Sequence, residues 1–105
     1  MKESRIERIL VDEIRKAGGR AYKWVSPGND GVPDRIVILP DRPPIFIELK
    51  TESGRLTKRQ ETQIRRLQRL GQDTRVVKGA RGLAQFFCSI GRYEAASRIY
   101  VRYVE

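Results

Sequence analysis

There is no histidine among the 105 residues, and only one cysteine, one methionine and one tryptophan. Without histidine the usual general base and the commonest zinc ligand are missing, so any catalysis must run on carboxylates, lysine, tyrosine or water activated by a metal ion. The single Cys88 cannot form an internal disulfide. No apolar run approaches the length of about 18 residues that marks a membrane span. The first residues (Lys2, Glu3, Arg5, Glu7, Arg8) are charged and lack the apolar stretch of a secretory signal, so the expected location is the cytoplasm. Acidic residues are also in short supply, 13 against 22 lysines and arginines, for a formal charge of +9 and a pI near 10.3. That balance points to a polyanionic partner such as nucleic acid or, less readily, an anionic membrane surface. A chain of this length has room for one domain, residues 1–105, and buries about two-thirds of the surface its unfolded form exposes.

What is present is regular α/β patterning. Ile6, Ile9, Leu10, Ile14 and Ala17 recur at three- and four-residue steps, predicting an amphipathic helix over 4–17 that Gly18-Gly19 stops. Residues 21–25 read as a strand, the turn-rich run Ser26 to Gly31 as a loop, and 34–39 as a second strand. Pro40 to Pro44 turns the chain into a third strand over 45–50, apolar enough on both faces to lie inside a sheet. Thr57 and Gln60, spaced Thr-x-x-Gln, form a capping box for a helix carrying Ile64, Leu67 and Leu70 and ending at Gly71. A short strand over 74–78 follows, then a helix bearing Leu83, Phe86, Phe87 and Ile90. The alternation of Ile99, Val101 and Tyr103 suggests a last strand or an extended tail over 97–104. The order helix, three strands, helix, strand describes an α/β domain around a mixed sheet. Residues 4–78 form its core and 79–105 a C-terminal helix and tail.

The chemistry concentrates in Gly31-Val32-Pro33-Asp34 and Glu48-Leu49-Lys50, on the two strands joined by the hairpin. With a five-residue loop, Leu39 faces Ile45, Ile36 faces Glu48 and Asp34 faces Lys50, so Asp34, Glu48 and Lys50 share one side of the sheet. A loop one residue longer or shorter would send Asp34 to the other side. Asp34 and Glu48 are then diagonal neighbours about 7–8 Å apart, which suits a hard cation such as Mg²⁺ or Mn²⁺ that would acidify a water and polarise a phosphate while Lys50 orients the water or neutralises developing charge. Glu48 and Lys50 interrupt an apolar strand, where charges are costly unless paired or bound to metal. Glu7, at the margin of the first helix's apolar stripe, offers a further carboxylate, with Glu3 one turn earlier as its rival. The bare residue pattern arises by chance in roughly one protein in ten of this length. A structural ion pair at the end of a sheet is the competing explanation.

Taken together, Ile6-Glu7, Gly18-Gly19, Tyr22-Lys23-Trp24, Gly31 to Arg35, Phe46 to Lys50, Gly54-Arg55-Leu56, Gln60 and Gly71 resemble the VRR-NUC (virus-type replication-repair nuclease) family of the PD-(D/E)xK superfamily. The likeness is greatest to its small stand-alone phage and bacterial members. The resemblance implies a restriction-endonuclease-like αβββαβ core and Mg²⁺- or Mn²⁺-dependent DNA cleavage in a bacterial or phage-infected cell. Glu7, Asp34, Glu48, Lys50 and Gln60 correspond to the active-site positions, with metal held by Asp34, Glu48, the backbone carbonyl of Leu49, and Glu7. Gln60 thereby has two claims on it, the capping box and the catalytic centre. Its place on the helix face of Ile64 and Leu67 favours the second.

Lys58, Arg59, Arg65 and Arg66 on the second helix, with Arg55 before it and Lys23 and Arg35 on the strands, are the candidates for DNA contacts, although any one of them alone is an ordinary solvated charge. No base-reading motif is present, so backbone and shape recognition of branched or flapped DNA is expected. The small family members look like homodimers that resolve Holliday junctions, and Phe86, Phe87, Tyr100 and Tyr103 offer apolar material for an interface unless they complete the monomer's own core. A flap or nicking nuclease, and a catalytically idle DNA-binding module, are the alternatives.

Overall fold

A computed structural model describes residues 1–104. Helix α1 (Glu3–Lys16) leads into strands β1 (Arg20–Lys23), β2 (Arg35–Leu39) and β3 (Arg42–Lys50). Helix α2 (Lys58–Arg69), strand β4 (Asp73–Lys78), and helices α3 (Gly79–Ser89) and α4 (Tyr93–Ile99) follow, with a π-helical turn over Tyr100–Val104. The four strands form one sheet in the order β1-β2-β3-β4. The first three are antiparallel and β4 runs parallel to β3. Helix α2 makes the crossover that a parallel pair requires. This is the expected mixed α/β core.

One face of the sheet is apolar. Ile45, Ile47 and Leu49 alternate inward from β3 to meet Ile6, Leu10 and Ile14 of α1 and Leu83 and Phe87 of α3. Phe46, Glu48 and Lys50 therefore point to the opposite face. Ala95 and Ile99, four residues apart, bury the inner side of α4 in the same core, which is why 97–104 is helical and not a strand. The alternating Val101 and Tyr103 satisfy a period of two only by coincidence, since Val101 is exposed. Phe86 and Phe87 are core residues too, so they are not free to form an interface.

The β2–β3 hairpin departs from the five-residue loop expected for it. Leu39 pairs with Arg42 across a two-residue turn, whereas Val37 pairs with Ile45, so Ile38 alone opposes both Pro43 and Pro44. This is a β-bulge on β3. Its prolines are tolerated because β4 begins to pair only at Ile45, leaving no ladder on that side for them to break. Beyond the bulge Ile36 faces Phe46 and Arg35 faces Ile47. The register is thus displaced by two residues from the expected one, and Asp34 comes opposite Glu48 and not Lys50. A shift of two preserves the face. Had the tight turn continued without the bulge, Asp34 would oppose Ile47 and point into the core.

Candidate active site

Glu48 sits in mid-sheet with 1 % of its surface exposed. Its Oε2 accepts a hydrogen bond from Gln60 Nε2 at 3.1 Å and lies 3.6 Å from the ammonium of Lys50. Its Oε1 is buried with no hydrogen-bond partner. Burial, then the neighbouring charge of Asp34, pushes the Glu48 carboxyl up from 4.5 to about 8 despite Lys50. An orphaned, hard-to-ionise carboxylate oxygen is costly in a fold unless something binds it.

Asp34 enters from the loop before β2. Its Oδ2 accepts the Leu49 backbone N–H at 2.8 Å, which fixes the carboxylate beside Glu48. The loop is held down at Gly31, whose φ is +90° and which lies so close to α2 that a Cβ there would come within 2.6 Å of the Arg59 carbonyl carbon. An ion pair of Arg59 with Asp30 and a hydrogen bond from Gln63 to the Asp30 carbonyl tie the same loop to α2. The glycine before Val-Pro-Asp is therefore a close-approach residue.

The third carboxylate is Glu3. Oxygens of Glu3, Asp34 and Glu48 all lie within 4.8 Å of one another. Glu7, the residue that the family resemblance puts at the active site, is instead engaged by Arg35, whose Nε donates to Glu7 Oε2 at 2.7 Å. Arg35 also donates to the Ala21 carbonyl and has only 19 % of its side chain exposed. The pair Glu7–Arg35 thus takes one expected metal ligand and one expected DNA contact into a mutual bond. The amphipathic pattern could not separate Glu3 from Glu7, because both lie near the stripe's edge and only the tilt of α1 against the sheet decides which reaches Asp34.

Gln60 makes the capping box and reaches Glu48 at once. Its Oε1 accepts the Thr57 N–H at 2.9 Å while the Thr57 side chain accepts the Gln60 N–H, completing the capping box. The amide nitrogen remains free to donate to Glu48, because the two ends of a carboxamide serve opposite hydrogen-bonding roles. Lys23, Arg55, Lys58, Arg59, Arg65 and Arg66 are all exposed. Two of them carry partners, Arg59 with Asp30 and Arg65 with Glu61 at 3.9 Å. Exposed pairs of this kind are weak and exchange readily for a phosphate.

An acidic cluster running from buried Glu48 through half-buried Asp34 to exposed Glu3, with a lysine and a glutamine beside it on the strand pair of an αβββαβ sheet, carries the spacing seen in the sequence into three dimensions. The model of the VRR-NUC domain matches residues 1–81. This chain belongs to the VRR-NUC family. It is 49 % identical over 71 residues to "Putative nuclease p44" of Acyrthosiphon pisum secondary endosymbiont phage 1, a match covering 68 % of this chain and 76 % of that protein. A solved structure described as a VRR_NUC domain superposes over 96 % of both chains with a TM-score of 0.68 at 22 % identity, which establishes the shared fold. The chain is accordingly a nuclease-type VRR-NUC domain. Among the described residues, no helix is long and apolar enough to cross a membrane.

Proposed function

We propose that this VRR-NUC domain is a divalent-metal-dependent endonuclease that hydrolyses phosphodiester bonds in branched DNA. The observation that carries the reading is the convergence of Glu3, Asp34 and Glu48, with carboxylate oxygens within 4.8 Å of one another, where Glu48 also has a buried, unpartnered oxygen. Carboxylate oxygens of this kind fit Mg²⁺ or Mn²⁺. Glu3, Asp34 and Glu48 are the residues to hold the cation. The Leu49 carbonyl is a further donor, since the N–H and C=O of one strand residue point to the same side and the Leu49 N–H already points at Asp34. A bound cation supplies polarisation of the phosphate and acidification of the attacking water.

The chain's own groups do the rest. Gln60 holds Glu48 in one orientation through Oε2, leaving Oε1 without a protein donor. The Leu49 N–H does the same for Asp34. Lys50, with 13 % of its side chain exposed, keeps a positive charge 3.6 Å from Glu48, where it can hold the attacking water or neutralise charge gathering on the phosphoryl oxygens. The exposed cations Lys23, Arg55, Lys58, Arg65 and Arg66 give the DNA backbone its contacts, supported by a net charge of +9. We further assign a homodimer acting as a Holliday-junction resolvase in a bacterial or phage-infected cytoplasm. With Phe86 and Phe87 in the core, its interface falls to exposed Tyr100 and Val101.

The test is cleavage of a labelled four-way junction, 5′ and 3′ flaps and linear duplex with Mg²⁺, Mn²⁺ or EDTA, beside Asp34→Ala. Metal-dependent cutting that Asp34→Ala lacks is the expected result, with paired symmetrical cuts in the junction. Cutting of flaps alone would replace the resolvase with a flap nuclease. Tight binding without cutting would make the chain an idle DNA-binding module.

A further inference from the structure

The catalytic carboxylates lie at the margin of a row of aromatic side chains. Tyr22 pairs with Ile36 and Ile36 with Phe46, and residues directly opposite one another across a sheet present their side chains on the same face. One step further along, the Trp24 N–H donates to the Asp34 carbonyl at 3.0 Å, which places Trp24 across from Asp34 just as Asp34 lies across from Glu48. Trp24 also meets Phe46, with ring centroids 5.3 Å apart and planes at 53°. Two parallel rows result, an acidic one that begins at Trp24 and an aromatic one made of Tyr22, Ile36 and Phe46, separated by two residues of strand or about 6.6 Å.

These aromatics are not buried in the core. Helix α2 packs over β4, and the β1–β2 half of this face stays open, with Tyr22 54 % and Ile38 38 % exposed. Arg20 stands exposed on the same face, opposite Ile38. An exposed Tyr22 with half-buried Trp24 and Phe46 beside a cation is unfavourable as mere surface and favourable as a support for flat, π-rich groups attached to phosphates. Nucleic-acid bases are that chemistry. A paired base is sandwiched between its neighbours in the duplex and has no face to offer, so only unpaired nucleotides can use the support.

We infer that Tyr22, Trp24 and Phe46 form a stacking platform for one or two unpaired DNA bases immediately beside the phosphate to be cut. The platform deepens the nuclease reading given above and rests on it. It gives a physical source for a preference for branched or flapped DNA in a chain with no base-reading motif, because the site accepts the substrate only where the duplex has already opened.

Trp24 is the only tryptophan in the chain, so its fluorescence reports on the platform alone. In EDTA, where cleavage plays no part, a short oligothymidylate is titrated against an abasic oligomer with the same number of phosphates. The expected result is quenching of Trp24 by oligothymidylate and at least about five-fold weaker binding of the abasic oligomer, the low end of what one base–aromatic stack contributes. Tyr22→Ala should weaken oligothymidylate binding by a similar factor and leave abasic binding unchanged, whereas Tyr22→Phe retains affinity. Equal affinity for the two oligomers, binding without any change at Trp24, or no binding of either overturns the platform. A loss in Tyr22→Phe equal to that in Tyr22→Ala also overturns it, since the hydroxyl and not the ring would then matter. Trp24 fluorescence that depends on protein concentration in the absence of DNA would reassign the face to self-association. Each of these outcomes is independent of metal-dependent cleavage, on which the nuclease reading stands or falls separately.

Discussion

Replacing Glu48 with Gln separates what the buried carboxylate does for the fold from what it does for the reaction. Glutamine keeps the shape of the side chain and an acceptor for Gln60 Nε2, but it cannot ionise. In the wild type, burial and Asp34 raise the carboxyl from 4.5 to about 8. The folded state therefore binds more protons than the unfolded state between those two values, and stability falls as pH rises through that window. Below pH 4.5 the residue is neutral in both states and Glu48→Gln should have little effect. At ~1.36 kcal/mol per pH unit the penalty grows to about 3 kcal/mol at pH 7 and levels off near 5 kcal/mol above the folded-state value. In EDTA, the variant should thus be more stable than the wild type by an amount that increases from pH 5 to pH 9, read as the difference between paired urea-unfolding curves. Adding Mn²⁺ should stabilise the wild type, because a ligand that binds only the folded state does so by mass action, and should leave the variant unmoved. Cleavage should be lost. A difference in stability that does not vary with pH would refute the account of Glu48 as a strained ionisable group, and a variant still stabilised by Mn²⁺ would remove Glu48 from the metal ligands.

Three further outcomes follow from other parts of the molecule. Gly31→Ala forces a Cβ into the Arg59–Gln60 backbone at a φ of +90° and should lower stability by about 1–3 kcal/mol, with a larger proportional loss of cleavage because Asp34 moves with the loop; thermal unfolding and a cleavage assay check both, and unimpaired cleavage would detach the loop from the site. Arg65→Ala with Arg66→Ala should weaken DNA binding and flatten the salt dependence by up to about 0.9 per cation removed; an unchanged slope would place the DNA elsewhere. Burial resists ionisation of Glu13, but bonds from Arg98 at 2.7 and 3.2 Å outweigh it and lower the carboxyl. Its stabilisation is therefore present above pH 4.5 and lost as pH falls through the lowered value. Arg98→Ala should destabilise the fold near neutrality and progressively less in acid, measured by urea unfolding at several pH values.

The helices α1 and α2, the strand order up to β4, and the motif pair around Asp34 and Glu48 were legible because each rests on local chemistry: apolar periodicity, a Thr57–Gln60 box, glycines that stop helices, and charges breaking an apolar strand. Even the dual position of Gln60 could be anticipated from its helix face. The C-terminal segment was misjudged, since Ala95 and Ile99 find a helical partner in α3 that no local pattern announces.

What the amino-acid sequence determined by itself was the parts list: a basic chain without histidine, two carboxylates and a lysine on adjoining strands, and the family those residues resemble. Tertiary structure decided which carboxylates meet. A bulge at Pro43–Pro44 sets the register that brings Asp34 to the face of Glu48, and the seating of α1 sends Glu3 to the cluster while Arg35 takes Glu7. The first is a bulge within one hairpin that no residue pattern announces, and the second depends on packing between elements distant in sequence. A displacement of one residue in a strand reverses the direction of every side chain, and one helical turn separates Glu3 from Glu7.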